Sequence, residues 1–345
     1  MKAAFLTGLR RMEIFDAPRP ESCSPGEVLV RVEAVGICGS DVHTYSEGRI
    51  GGQAAKYPWI VGHECAGTVE QVGPEVKKNL RPGRRVAIDP LIVCGRCDQC
   101  TTGRRHTCRN QKFLASPGQA PGALAEYLVM PAECCFEIPV QMSMTLATLV
   151  EPVAIGIYTV GLSQIGQNDS AAVLGTGPIG LSVLLALRNA GCAKVFATDL
   201  LDYRLEFACR FGARWAGSPQ QQDVVGEMLK RSPAGLDVVF ECAGRQETLD
   251  QGLRLLRPGG KLMMVGIPET DRITMDIHLA RRHELTFQNV RRQNECVERA
   301  IDFVSRHQQE ISSMATHRFP LSRVQEAFET VAGYRDGVVK AIVEI

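Results

Sequence analysis

Residues 171–199 read AAVLGTGPIGLSVLLALRNAGCAKVFATD, and this stretch decides the fold. The opening 171–174 is a short apolar run, followed by Gly175-Thr176-Gly177-Pro178-Ile179-Gly180 and by an apolar pattern of helical period. A second strand-like run, 194–198, ends at Asp199, 19 residues past the last glycine of the motif. Strand, G-x-G-x-x-G, helix, strand and acid form one unit: Gly175, Gly177 and Gly180 allow a tight turn and close approach of a pyrophosphate to a helix N-terminus. Asp199 stands where a carboxylate accepts hydrogen bonds from an adenosine ribose diol and repels a 2′-phosphate, which favours NAD over NADP. Arg204, one turn into the next helix, is expected along the adenosine or the surface.

Outward from this unit the βα rhythm continues. Residues 205–211 complete a helix that Gly212 ends, 236–241 read as a buried strand and 247–256 as a helix. Arg257-Pro258-Gly259-Gly260 is a turn before the strand 261–265, and 285–289 is the last strand. This predicts about six parallel strands in a doubly wound α/β sheet. Val290, Arg291 and Arg292 follow the last strand, at the end where such sheets bind ligands. Two arginines there are expected to meet cofactor or a polar substrate; the alternative is a helix-start charge pair. A helix over 295–308 and a closing strand over 338–345 complete the chain, the strand rejoining the N-terminal part.

Before residue 150 the texture differs. Short alternating runs broken by Pro18, Pro20, Pro25 and Gly26 predict a compact β-rich unit over the first 90 residues, with the polar cluster below on its loops. That cluster lies in 36–64, GICGSDVHTYSEG…YPWIVGHE, with Cys38, Ser40, Asp41, His43, His63 and Glu64. Thiolate, imidazole and carboxylate are the ligand types of a zinc site that keeps one position open for chemistry. Next comes CGRCDQCTTGRRHTC, with Cys94, Cys97, Cys100 and Cys108 spaced C-x2-C-x2-C-x7-C. Four thiolates this close call for a metal, and zinc with four sulfurs has no open position, so this site reads as structural. Ferredoxin spacings differ, which disfavours an iron–sulfur cluster. Glu151 sits in the apolar run LVEPVAIGIYTV, where a carboxylate needs a partner or a metal. The alternative is a surface Glu at a helix start, since Pro152 suits the first helical position.

The chain has 345 residues, 45% hydrophobic and 22% charged, room for two domains of an ordinary globular protein. A formal net charge of +1 gives no field for nucleic acid or anionic membrane, and no basic helix flanks the four-cysteine lobe. No run approaches 18 consecutive apolar residues, so no membrane span is expected. The first 18 residues lack a signal-peptide core. The 13 cysteines, without a secretion signal, are expected as free thiols and metal ligands in the cytoplasm.

GICGSDVH, GHE, the four-cysteine lobe, the Glu151-Pro152 pair, GTGPIG, Asp199 and THRFPL at 316–321 together resemble the zinc-dependent medium-chain dehydrogenases, within them the sorbitol and xylitol (polyol) dehydrogenase group. The resemblance covers essentially the whole chain. It implies a GroES-like catalytic domain over 1–150, carrying a structural zinc lobe near 90–110 and completed by 290–345, and a Rossmann NAD-binding domain over 151–289. It implies that Cys38, His63 and Glu64 surround a catalytic zinc and that Glu151 is a further ligand or holds the metal through water. Whether Glu64, Glu151 or water completes the shell stays open. It also implies that Asp41 orients the His63 imidazole, that Ser40 and His43 relay the substrate proton, and that Ile179, Asp199, Arg204 and Val265-Gly266-Ile267 contact NAD. The implied cofactors are NAD and two zinc ions, catalytic and structural, and the implied assembly is a homotetramer or dimer. Two places expected at the substrate depart from sorbitol dehydrogenases: Thr44 replaces a tyrosine, and Arg291-Arg292 replaces Arg-Tyr.

The expected reaction is reversible oxidation of a secondary hydroxyl to a ketone in a cleft between the domains. Its expected substrate is a small hydroxyl-rich molecule: an alditol, a cyclitol, a sugar acid or a polyol phosphate. The alternatives are a threonine 3-dehydrogenase-like enzyme and a redox-inert protein, either a nucleotide sensor or a nucleic-acid module built on the zinc lobe.

Overall fold

The computed structural model describes residues 1–345. Its contacts divide the chain into two units, Met1–Glu151 with Val297–Ile345, and Pro152–Cys296.

The first unit is built on a seven-stranded sheet. Its long strand Glu27–Gly36 pairs antiparallel with Glu64–Val72 on one side, Gly36 opposite Glu64. On the other side the C-terminal strand Ala341–Glu344 pairs with it, Ile342 opposite Gly36. Residues from both ends of the chain thus meet at one place on the sheet. The alternation expected over 27–34 is present, with Val28, Val30 and Val32 buried in the core of this unit. The expectation of loops for the polar cluster is corrected in part. Gly39–Glu47 form a helix, α1, carrying Ser40, Asp41, His43 and Thr44, and Glu64 opens a strand. Cys38 is the N-cap of α1, Asp41 accepting its backbone N–H at 3.1 Å, and Gly48 in the left-handed region ends the helix. The buried face of α1 is Asp41, Thr44 and Tyr45, mostly polar, so no apolar periodicity announced it.

The second unit holds six parallel strands: β1 Ser170–Leu174, β2 Lys194–Thr198, β3 Trp215–Gly217, β4 Leu236–Glu241, β5 Leu256–Met264 and β6 Thr286–Asn289. Their order is β3-β2-β1-β4-β5-β6, the 3-2-1-4-5-6 sequence of a dinucleotide-binding sheet. β1 is buried at every position, as a central strand covered on both faces must be. The segment Met144–Ser163 is long and apolar enough to cross a membrane by length and mean hydropathy, though Glu151 interrupts its apolar run; it is mostly buried within the protein. It comprises a short helix and α2, Val150–Ser163. In the second unit α2 packs on α3, Pro178–Asn189, through Gly156, where a Cβ would stand 2.6 Å from the Ser182 backbone.

Candidate metal centres and dinucleotide turn

In the first unit the donor atoms of Cys38, His63 and Glu64 all lie within 4.8 Å of one another. The strand register sets Glu64, and α1 with its N-cap sets Cys38. His63, just before the Glu64 strand, is tied down by Asp41. The Asp41 carboxylate accepts from the Gly62 backbone at 3.0 Å and stands 3.3 Å from His63 Nδ1. An Nδ1–H donating to Asp41 leaves Nε2 as the available donor toward a cation. Burial opposes charge on His63, yet the neighbouring Asp41 and Cys38 raise it well above its ordinary range.

Glu151 lies outside this trio but ends buried, with one carboxylate oxygen, Oε2, lacking a hydrogen-bond partner. Burial pushes its pKa up to about 7, against the lowering pull of His63 and with a smaller push from the Glu64 charge. A buried unpaired carboxylate oxygen costs free energy unless a cation meets it. Thiolate, imidazole and an orphaned carboxylate suit zinc.

Sequence reasoning missed Lys340. Its ammonium stands 2.7 and 2.6 Å from the two oxygens of Glu64 and donates to Ile37 O at 3.0 Å. The lysine interrupts the apolar run VVKAIV, the same signal that singled out Glu151. Gly36 is required beside this pair: a Cβ there would meet Glu64 Oε2 at 2.3 Å.

Of the remaining expected residues on α1, Ser40 and His43 are half-buried, and no hydrogen bond joins them; His43 Nδ1 faces Glu47 Oε1 at 3.3 Å. Thr44, expected at the substrate, is buried and its hydroxyl donates to Ser40 O at 3.1 Å. In the second unit Arg291 is exposed and Arg292 adopts a left-handed backbone, φ 54°.

The sulfurs of Cys94, Cys97, Cys100 and Cys108 are gathered in the same way. Sγ–Sγ separations are 3.6 Å for Cys97–Cys100, 3.9 Å for Cys97–Cys108 and 3.5 Å for Cys108–Cys94. Tetrahedral zinc with Zn–S near 2.3 Å has sulfur–sulfur edges of about 3.8 Å. A disulfide would bring two sulfurs to about 2.0 Å. Backbone N–H groups of Arg96 and Cys97 draw the Cys94 thiol down to about 6, while desolvation pushes Cys100 up to about 12. Four adjacent sulfurs ionise together only around a cation.

In the second unit Gly175 takes φ 92°, and a Cβ on Gly180 would stand 2.0 Å from Gly175 O, so both glycines are needed for the turn. Pro178 and Ile179 open α3, with Gly177 as its N-cap. Asp199 Oδ2 accepts from the Thr176 backbone at 2.7 Å and Oδ1 from Leu201 at 3.1 Å, so this acid also shapes the turn. Arg204 is mostly buried, 3.9 Å from Asp199 and beside Gly177. Val265 and Gly266 both donate to Glu241 O, Ile267 is exposed, and Val290 donates to Met264 O.

Comparison with known proteins gives two matching family models: the alcohol dehydrogenase GroES-like domain over residues 24–140 and the zinc-binding dehydrogenase over 178–306. The chain is 34% identical over 344 residues to sorbitol dehydrogenase of Bacillus subtilis, covering 99% of this chain and 97% of that protein. It is 36% identical over 337 residues to L-idonate 5-dehydrogenase of Vitis vinifera, covering 96% and 91%. Among solved structures it resembles a zinc-binding dehydrogenase of Sinorhizobium meliloti bound to NADP, with TM-score 0.90, 32% identity and coverage of 100% and 99%. An Escherichia coli alcohol dehydrogenase in complex with NADH matches with TM-score 0.90, 28% identity and the same coverage.

Proposed function

We propose, for a chain that belongs to the zinc-dependent medium-chain dehydrogenase family, reversible oxidation of a secondary hydroxyl of a polyol or related sugar derivative to a ketone, with NAD rather than NADP. The observation that carries this reading is the convergence of Cys38, His63 and Glu64 next to a buried Glu151 with an orphaned oxygen. Cys38, His63 and Glu151 would hold the catalytic metal, and Lys340 keeps the Glu64 carboxylate occupied at its edge. When bound, zinc supplies Lewis acidity toward the hydroxyl and the nicotinamide supplies the hydride acceptor. Asp41 holds His63 in one tautomer and orientation. Ser40 and His43, three residues apart on α1, take the hydroxyl proton toward solvent, His43 steadied by Glu47. Oxidation of a secondary hydroxyl to a ketone gives up one hydride and one proton, and Ser40 and His43 would carry that proton away. Asp199, held by Thr176 and Leu201, supports NAD because its charge opposes a 2′-phosphate.

The reading includes one catalytic and one structural zinc per chain. It also includes a cytoplasmic setting and a homo-oligomer, dimer or tetramer. A second substrate reading, a sugar acid or polyol phosphate, is favoured by Arg291, an exposed guanidinium just past the end of β6. The Vitis vinifera relative named for L-idonate points the same way.

The test is a panel of alditols, cyclitols, sugar acids, polyol phosphates and threonine with NAD⁺ and NADP⁺, followed at the nicotinamide absorbance. Polyol or sugar-derivative turnover with NAD⁺ is expected, and Cys38→Ser loses turnover while still binding NADH. Normal turnover by a metal-poor Cys38→Ser enzyme rejects the metal assignment, and turnover of threonine alone moves the enzyme to the threonine dehydrogenase class.

A further inference from the structure

Three turns sit side by side at the C-terminal ends of β1, β4 and β5. The strand register places Leu174 beside Glu241 and Glu241 beside Met264. The middle turn, 242–245, is wedged between the other two. A Cβ on Gly175 would meet Ala243 N and Cβ at 3.0 Å. A Cβ on Gly266 would meet Gly244 N at 2.2 Å, and one on Gly244 would meet Ile267 O at 2.1 Å. Only bare backbone fits at these contacts, so a shift of the middle turn is transmitted to both neighbours. One of those neighbours is the GTGPIG turn and the other is Val265–Ile267.

The middle turn is held by one buried carboxylate. Glu241 is 4% exposed, and its Oε1 accepts from Ala243 N at 2.8 Å, Gly244 N at 2.8 Å and Thr248 Oγ1 at 2.8 Å. Its own carbonyl accepts from Val265 N at 2.8 Å and Gly266 N at 2.9 Å. One residue therefore joins the 242–245 turn, the helix that carries Thr248, and the 265–267 turn. A buried acid is unfavourable unless it is used, and an apolar residue would serve packing alone. Ligands of doubly wound sheets bind at these strand ends.

We propose that Glu241 is a positioning residue for the dinucleotide: its carboxylate sets the 242–245 turn, and through it the two flanking turns that receive the cofactor. The inference rests on the dinucleotide-binding reading above. The Glu241 carboxylate is buried and spent on the 242–245 turn, so its loss acts on nucleotide affinity and leaves the chemical step alone.

The experiment is titration of the full-length, zinc-loaded enzyme with NADH by fluorescence, alongside steady-state kinetics. Glu241→Leu raises the Kd for NADH and the KM for NAD⁺ about tenfold, the effect of roughly 1.4 kcal/mol, with kcat at saturating nucleotide unchanged. Glu241→Gln, which keeps a carbonyl oxygen for the three donors, restores binding to within about twofold. A Leu variant with wild-type Kd, or one with lowered kcat and unchanged KM, overturns the inference. So does a Gln variant as weak as the Leu variant. If Glu241→Leu fails to fold, Thr248→Val is read instead: loss of one donor should weaken NADH binding about threefold, and an unchanged Kd overturns the proposal. A wild-type enzyme that binds no NADH removes the dinucleotide reading itself, a result distinct from wild-type binding with an indifferent Glu241.

Discussion

The ammonium of Lys340 and the carboxylate of Glu64 form an ion pair with only 2% and 1% of their side chains exposed. Such a pair is weak evidence for stability as a whole, but removing one partner leaves an uncompensated buried charge. Lys340→Met is expected to lower unfolding free energy by about 3–5 kcal/mol, and adding Glu64→Gln should recover part of that loss. Denaturant unfolding of the single and double variants checks it; additive losses would mean that the two groups are not coupled. Glu64 was legible as a polar residue beside a histidine, but its partner was not. Lys340 is 276 positions away, and nothing local to either residue names the other.

At the scale of elements, the parallel sheet is stitched across its N-terminal ends by Asp237 on β4. Its carboxylate accepts from Ser170 N at 2.7 Å and Ser170 Oγ at 2.8 Å on β1, and from Arg257 Nε at 2.6 Å on β5. Burial works against the charge, but the Ser170 and Arg257 hydrogen bonds outweigh it and hold the carboxyl below the usual range. A depressed folded pKa gives stability that is present above the unfolded value near 3.9 and is lost as pH falls through the folded one. Asp237→Asn should therefore be less stable by about 1–2 kcal/mol from pH 5 to 8, the gap from wild type closing below about pH 4. Melting curves across that range measure it; a gap that widens in acid would contradict the assignment. Elements such as β1 and α3 were readable because each is a continuous buried apolar run flanking the glycine turn. Helix α1 was not, because its buried face is Asp41 and Thr44 with a single tyrosine. The strand β3 and the helices Val224–Arg231 and Ile277–Arg282 went unread as well: three to eight residues carry too little pattern to stand out.

For the molecule as a whole, the two proposed metal centres make separable predictions. Metal analysis of the purified chain should find about two zinc ions, falling to about one in Cys38→Ser and about one in Cys100→Ser. Only Cys100→Ser should also lower the melting temperature, by roughly 5 °C or more, because binding at a closed four-sulfur site is folding free energy. Equal thermal stability of Cys100→Ser and wild type would remove the structural role. The family was legible because its marks are local: GTGPIG with an acid 19 residues on, and four cysteines within 15 residues. Glycine conformations, thiol spacing and apolar period act over a few residues, so the linear chain by itself determined the doubly wound sheet and the two ligand clusters. Only the tertiary structure decided which carboxylate is spoken for and which is left open. Glu64 meets Lys340 because the strand Glu27–Gly36 pairs with Glu64–Val72 on one side and with the C-terminal strand on the other, and Glu151 is buried with one oxygen left without a partner. Charge compensation in a buried site depends on distance through space, and the order of residues along a chain does not specify that distance.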